Sequence, residues 1–248
     1  MKSAAEPARA AVAPAKVWDP LDQVDYRLAE TPEEKEEIYR LRYRAYLREG
    51  AIRPSAAGRV SDQYDDAPNA WTFGVYLQGE LYSSIRVSVL TSKWRMSPSV
   101  ELFGDLLHPK LDQGLVFIDS TRFVADPSKA RNFIELPYVT VRLGSMAGVH
   151  FNADYGLAII RPEHQAFYRR VFLHETWSEP RLYPGLVKPV GLMAAHLPTV
   201  RERVLVRYPF LRSSAFERRM LFERRNERHP SSKTHAPGLE RASVIPQS

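Results

Sequence analysis

The chain has 248 residues, 44% of them hydrophobic and 26% charged, with a formal net charge of +6 and no cysteine. That length supports one sizeable core, and the missing thiols exclude disulfides, thiolate metal sites and an acyl-cysteine intermediate. No apolar run approaches the roughly 20 residues of a spanning helix. The positive field suits an acidic partner of any kind.

Residues 1–24 are interrupted by Glu6, Pro7, Arg9 and Pro14. They make a poor secretory segment and are expected to be a disordered lead-in. Residues 226–248 are expected to be a disordered polar tail, which leaves one domain over 25–225. Thr31-Pro32-Glu33-Glu34 combines an N-cap, a first-turn proline and a capping-box glutamate, so a helix is predicted from there to Gly50. A polar loop follows to about Asn69. The runs WTFGVYL and LYSSIRVSVL, joined across Gln78-Gly79-Glu80, predict an antiparallel hairpin. SVELFGDLL reads as a short helix and LVFIDSTRFVAD as a strand. A helix starting near Pro137 is predicted within 133–150. ADYGLAII then reads as a buried strand and EHQAFYRRVFL as an amphipathic helix. The fold class expected from this order is mixed α/β (α+β), compatible with a single twisted sheet covered by helices.

Several charged residues sit where an ordinary core would not place them. Arg42 falls in the middle of the face formed by Ile38, Tyr39, Leu41, Ala45 and Tyr46, and needs an acid, a substrate anion or a route to solvent. Arg40, Arg44 and Arg48 form a row on the opposite side, either a docking surface for an acidic partner or a solvated face. Asp62, Asp65 and Asp66 lie in the loop, where they orient an ammonium, accept its proton or simply build a polar turn. Their spacing is not that of a calcium loop, and no metal site is expected. Arg86, Asp119 and Arg122 interrupt strand patterns. On a regular strand Asp119 and Arg122 point to opposite faces, so a bulge is needed to bring both into one site. Structural ion pairs would account for them equally well. His164 and Tyr168 share a helix face, and a tyrosine there either protonates a leaving group or packs with its hydroxyl at the core edge.

The stretches IYRLRYRAYLREG, SDQYD, SSIRVSV and DSTRFVAD, in that order, resemble acyl-homoserine-lactone (autoinducer) synthases. With RPEHQAFYRRVFLHETWSEPRLYPG the chain looks closer to their relatives, the long-chain N-acyl amino acid synthases. The resemblance covers roughly residues 25–215. It implies a GNAT-like fold, with a central twisted, mostly antiparallel sheet flanked by helices, and a thioester of acyl carrier protein or coenzyme A as donor, with no further cofactor. By position, the family's helix arginine is Arg42 and its following aromatic is Tyr46. The loop aspartates are Asp62 and Asp65, the strand arginine is Arg86, and the acidic pair partner set is Asp119 and Arg122. Two departures stand out: Ile52 replaces a tryptophan typical of autoinducer synthases, and Asp119 replaces a glutamate. Both favour an amino-acid acceptor over S-adenosylmethionine.

The reaction implied is aminolysis of a thioester by a small-molecule amine. Asp119 or Asp65 is the expected base, directly or through a water. Arg42, Arg86 or Arg122 would bind the acceptor carboxylate, backbone amides of the central strands would hold the oxyanion, and Tyr168 would protonate the departing thiol. Alanine at Asp119 or Arg42 is expected to abolish turnover with the fold intact. An acyl carrier protein would dock on Arg40, Arg44 and Arg48. The alternatives are an autoinducer synthase and a non-catalytic acyl-binding protein. Nucleic acid is not an expected partner, because no reader motif is present. The chain is expected to be cytoplasmic, with peripheral membrane contact left open by its basic C-terminal stretch.

Overall fold

The computed structural model describes residues 20–223. Residues 1–19 of the expected lead-in 1–24, and the expected tail 226–248, lie outside the described residues, whereas 20–24 belong to the fold. A 3-10 turn at Pro20–Gln23 leads straight into strand β1 (Val24–Leu28), whose alternating burial is that of a short edge strand. Helix α1 (Pro32–Arg48) begins as its capping box requires. The Thr31 side chain accepts from the Glu34 amide at 3.2 Å, and the Glu34 carboxylate accepts from the Thr31 amide at 2.9 Å. Gly50, with φ +60°, ends it.

Strands β2 (Ala70–Leu77) and β3 (Glu80–Leu90) form the predicted hairpin. Gln78 and Gly79 both have positive φ (51° and 84°), the requirement of a tight two-residue turn that matches strand twist. Helix α2 (Pro98–Asp112) has 15 residues against the nine of SVELFGDLL, and bends at Phe103. Then come β4 (Phe117–Ala125), α3 (Leu136–His150), β5 (Tyr155–Ile160) and α4 (Gln165–Phe172). Beyond these lie β6 (Glu175–Thr176), β7 (Gly191–His196), α5 (Leu197–Arg207) and α6 (Ala215–Phe222), none of them among the elements predicted above.

The seven strands form one sheet in the order β1-β2-β3-β4-β5-β7-β6. Every pairing is antiparallel except β4–β5, which is parallel. That pair is joined only from Phe117↔Tyr155 to Ser120↔Ala158, although both strands continue. One face of the sheet packs Phe73, Val75, Ile85, Val87 and Ile118 against α3 and against Phe222 of α6. The other face packs against α1 through Tyr76, Leu81 and Val124, and against α2 through Leu90, Phe117 and Leu157. This second face carries the charged strand residues.

The bulge required by the Asp119–Arg122 spacing is present. Ser84 pairs with Val124 and Arg86 with Thr121, so two residues of β4, Arg122 and Phe123, stand opposite the single residue Ile85. Arg122 has φ +55°, a left-handed conformation usually left to glycine. The extra residue re-aims Arg122. Without it, Arg122 would share the α3 face with Ser120; with it, the side chain turns to the α1 face.

Candidate active site

Five charged side chains meet between α1, the loop after it, and strands β3 and β4. Arg42 is fully buried, and its Nη1 donates to both oxygens of Asp65 at 2.8 and 2.9 Å. Arg86, also fully buried, donates from Nη1 to Asp62 at 2.5 Å and to Asp65 at 3.0 Å, and from Nη2 to Asp62 at 3.2 Å. Arg122 donates to the same Asp62 oxygen from Nε at 3.0 Å and Nη2 at 2.5 Å. A tyrosine ring covers each guanidinium: Tyr39 at 5.3 Å from Arg42, Tyr64 at 5.6 Å from Arg86, and Tyr46 at 5.8 Å from Arg122. Such cation–ring contacts strengthen as solvent is excluded.

Burial alone would raise the Asp62 carboxyl, but the hydrogen bond from Arg86 and the charges of Arg122 and Arg86 hold it well below the usual range. Burial pulls the Arg42 guanidinium down, with Arg86 and Arg122 adding to that and Asp65 opposing it. For Arg122 the order reverses: burial is outweighed by Tyr46 and Asp62, and the guanidinium is raised. The cluster is a lattice of guanidinium–carboxylate hydrogen bonds. Asp62 also accepts from the Tyr64 amide, and Asp65 from the Asp62 amide. With so many donors, neither carboxylate is suited to take a substrate proton.

Asp119 is different. It is fully buried, its Oδ1 accepts from the Ser99 hydroxyl at 2.7 Å, and its Oδ2 has no hydrogen-bond partner among the described residues. Burial raises its carboxyl above the ordinary value, against the smaller pull of Ser99, Ser97 and Arg86. It shares the α1/α2 face of the sheet with Arg86 but is not bonded to it.

Two cavities flank β4. The first, of about 660 Å³, lies on the α3 face between α3, α4, α5 and the paired parts of β4 and β5. Ile118, Val141, Val204 and Leu205 give it an apolar wall, and Gly144, Gly148 and Gly156 leave room in it. A Cβ on Gly144 would lie 2.6 Å from the Ser120 hydroxyl, and one on Gly148 would lie 2.8 Å from Leu197. Tyr168 and His174 line it, with their rings 5.7 Å apart. Burial raises the Tyr168 hydroxyl, which makes no hydrogen bond among the described residues, and lowers His174 to about 4. His164, expected to share the cleft, sits exposed in the turn before α4 beside Arg161.

The second cavity, of about 890 Å³, lies on the opposite face between the loop after α1 and the segment Tyr183–Val187. Its wall includes Tyr43, Ile52, Arg53, Arg59, Asp62, Arg122 and Tyr183. Glu101 of α2 ties this wall together by accepting from the hydroxyls of Tyr64 at 2.8 Å and Tyr183 at 3.0 Å. Arg42, Arg86 and Asp119 line neither cavity. Their burial makes Arg42 and Arg86 holders of the aspartates, not contacts for a substrate anion.

The row Arg40, Arg44 and Arg48 lies on α1, across the sheet from the apolar cavity. Arg40 pairs with Glu36 at 2.8 Å and Arg44 with Asp126 at 3.3 Å, while Arg48 is exposed. Among the described residues no group of three or more His, Asp or Glu could hold a metal ion, and no helix is long and apolar enough to cross a membrane.

Sequence reasoning did not find Ser99, Glu101, Arg53 or His174. None lies in an element whose pattern it breaks, so only the tertiary packing singles them out.

An open mixed sheet, with one parallel pair that parts beyond Ser120 and helices on both sides, is a GNAT-like fold. The chain belongs to the family described as N-acyl amino acid synthase FeeM, matched over residues 37–196, and is thus an N-acyltransferase. The structure of FeeM, an N-acyl amino acid synthase from uncultured soil microbes, aligns with a TM-score of 0.62 at 17% identity, covering 75% of this chain and 98% of that one. The AHL synthase LasI aligns with a TM-score of 0.50 at 16% identity, covering 69% and 88%. At these identities the likeness is one of fold. Comparison with curated proteins gave no match.

Proposed function

We propose that the protein transfers a fatty acyl group from the thioester of an acyl carrier protein or coenzyme A to the amine of an amino acid. The observation that carries this reading is the pair of cavities on opposite faces of β4, one apolar and one lined by arginines. The acyl chain lies in the apolar cavity beside Ile118, Val204 and Leu205. The acceptor lies in the arginine-lined cavity, with its amine directed to the gap where β4 and β5 part.

The amine must lose a proton before it can attack. Arg53, Arg59 and Arg122 outnumber Asp62 around the cavity, and this positive excess favours the neutral amine. Asp62 is already filled by arginines, so Asp119 takes the proton through an intervening water. The amine nitrogen then bonds to the carbonyl carbon, and backbone amides beyond Ser120 and Ala158 hold the oxyanion. As the carbon–sulfur bond breaks, Tyr168, kept protonated by its burial, gives its proton to the thiolate. The second amine proton returns to the tyrosine, and Asp119 releases the first to solvent. Asp65 holds Arg42 and Arg86 in place.

The acceptor cavity has Ile52 in its wall, and this favours an amino acid over S-adenosylmethionine. Mass spectrometry of lipid extracts from cells overproducing the protein tests the reading, with Asp119→Asn as control. Linear acyl amino acids that vanish in the control support it. Acyl lactones, or no new product, reject it.

A further inference from the structure

We infer that Arg53 anchors the carboxylate of the acceptor and so makes the enzyme select amino acids over simple amines. This rests on the amino-acid reading above and assigns the residue responsible.

Three guanidiniums line the acceptor cavity, at Arg53, Arg59 and Arg122. Two are already committed. Arg122 gives Nε and Nη2 to Asp62. Arg59 pairs with Glu36 at 3.1 Å and lies 5.1 Å from the Tyr39 ring. Arg42 and Arg86, the other arginines of the region, are sealed beneath the cavity by Asp62 and Asp65. Arg53 alone among the lining arginines makes no ion pair or side-chain hydrogen bond to any described residue. It is exposed and free to close on a ligand.

Its backbone is nevertheless fixed. The amide of Ala51 donates to the Tyr46 carbonyl at 2.9 Å, and that of Val187 donates to the Ala51 carbonyl at 3.0 Å. Two residues on, the Tyr43 hydroxyl accepts from the Ser55 amide and donates to the Ser55 carbonyl, each at 3.1 Å. Pro54 further restricts Arg53 itself. A guanidinium held at a cavity wall without an acid matches a carboxylate in paired, bidentate fashion. The wall's one carboxylate, Asp62, is filled and does not compete for it. Tyr43, Ile52, Leu186 and Val187 complete a wall suited to a large apolar side chain.

The test uses phenylalanine and 2-phenylethylamine, which differ only in the carboxylate. Wild type, Arg53→Met and Arg53→Lys are assayed with dodecanoyl-coenzyme A and with dodecanoyl carrier protein, and thermal midpoints are recorded for each. A lost charge-assisted pair is worth about 1.5–3 kcal/mol, or roughly 10- to 100-fold. The ratio of kcat/KM for phenylalanine to that for phenylethylamine should therefore fall by about that factor in Arg53→Met and by less in Arg53→Lys. An unchanged ratio overturns the inference, whether both rates hold or both fall; an equal fall with a raised donor KM would move Arg53 to the donor. A wild type that prefers phenylethylamine rejects the amino-acid reading itself. Turnover of neither acceptor rejects both.

Discussion

The Arg122 guanidinium reaches Asp62, at 2.5 Å from Nη2, because the β4 backbone turns left-handed at Arg122. A non-glycine residue in that region costs of order 1–3 kcal/mol, and the charged contact to Asp62 offsets it. The two substitutions that remove the guanidinium should therefore differ. Arg122→Gly loses the pair but relieves the backbone, whereas Arg122→Ala loses the pair and keeps the strain. Urea unfolding should find the glycine variant more stable by about 1 kcal/mol. In an ordinary strand alanine would be the more stable, and that order would show that the bulge is absent.

Asp119→Asn removes the proposed proton acceptor while keeping the shape and the hydrogen bond from Ser99. We expect kcat/KM to fall by about 10²- to 10⁴-fold. Because burial raises the Asp119 carboxyl, wild-type activity should decline as the pH drops through that raised value, where the base becomes protonated. The asparagine variant should lack this acid limb. A variant with near-normal rates and the same limb would remove Asp119 from the mechanism.

Chain length should respond to the floor of the apolar cavity. Gly148→Val places methyl groups against Leu197, and should shift the product distribution toward shorter acyl chains at a stability cost of about 1–3 kcal/mol. Leu197→Ala should shift it the other way. Mass spectrometry of products made from a mixed acyl donor pool reads both. An unchanged distribution in the two variants would place the acyl chain elsewhere.

His174 gives the fold a pH dependence of its own. Its ordinary value of 6.5 is lowered by burial to about 4, so between those values the unfolded chain binds a proton that the native protein does not. Stability should fall as the pH drops through this window, by roughly 3 kcal/mol in total, and then level off. Asp62 acts lower: its depressed carboxyl contributes stability above the unfolded value of 3.8 and loses it as the pH falls further. Denaturant melts of wild type and His174→Gln at pH 7, 5.5 and 4.5 separate the two. Parallel stability curves would mean that His174 is not buried as a neutral ring.

The helix at Thr31 and the hairpin at Gln78-Gly79 were legible because local chemistry dictates them: a capping box in one case, a positive-φ turn in the other. The need for a bulge between Asp119 and Arg122 was legible from strand periodicity. Its position was not, because the left-handed residue is an arginine and carries no glycine signal. Strand β7 (GLMAAH) lacks the alternation of a half-buried strand, since nearly all of it is covered. Strand β1 is too short to stand out from the lead-in. Arg42 was correctly singled out as anomalous, but its depth was not visible from a helical wheel. Fully enclosed with Asp65, it cannot be truncated without leaving a void and taking one of the two guanidiniums from a buried carboxylate, so alanine there should damage the fold as well as turnover.

Strand β4 shows Ser120 to one cavity and Arg122 to the other, two residues apart. A wall that faces both ways lets two substrates approach from separate entrances, so neither has to wait for the other to depart. In kinetic terms, initial-rate lines at varied donor and acceptor should intersect rather than run parallel, as they do when both reactants are held at once. A chain without cysteine, which has no thiol on which to park the acyl group between half-reactions, is built for that order of events.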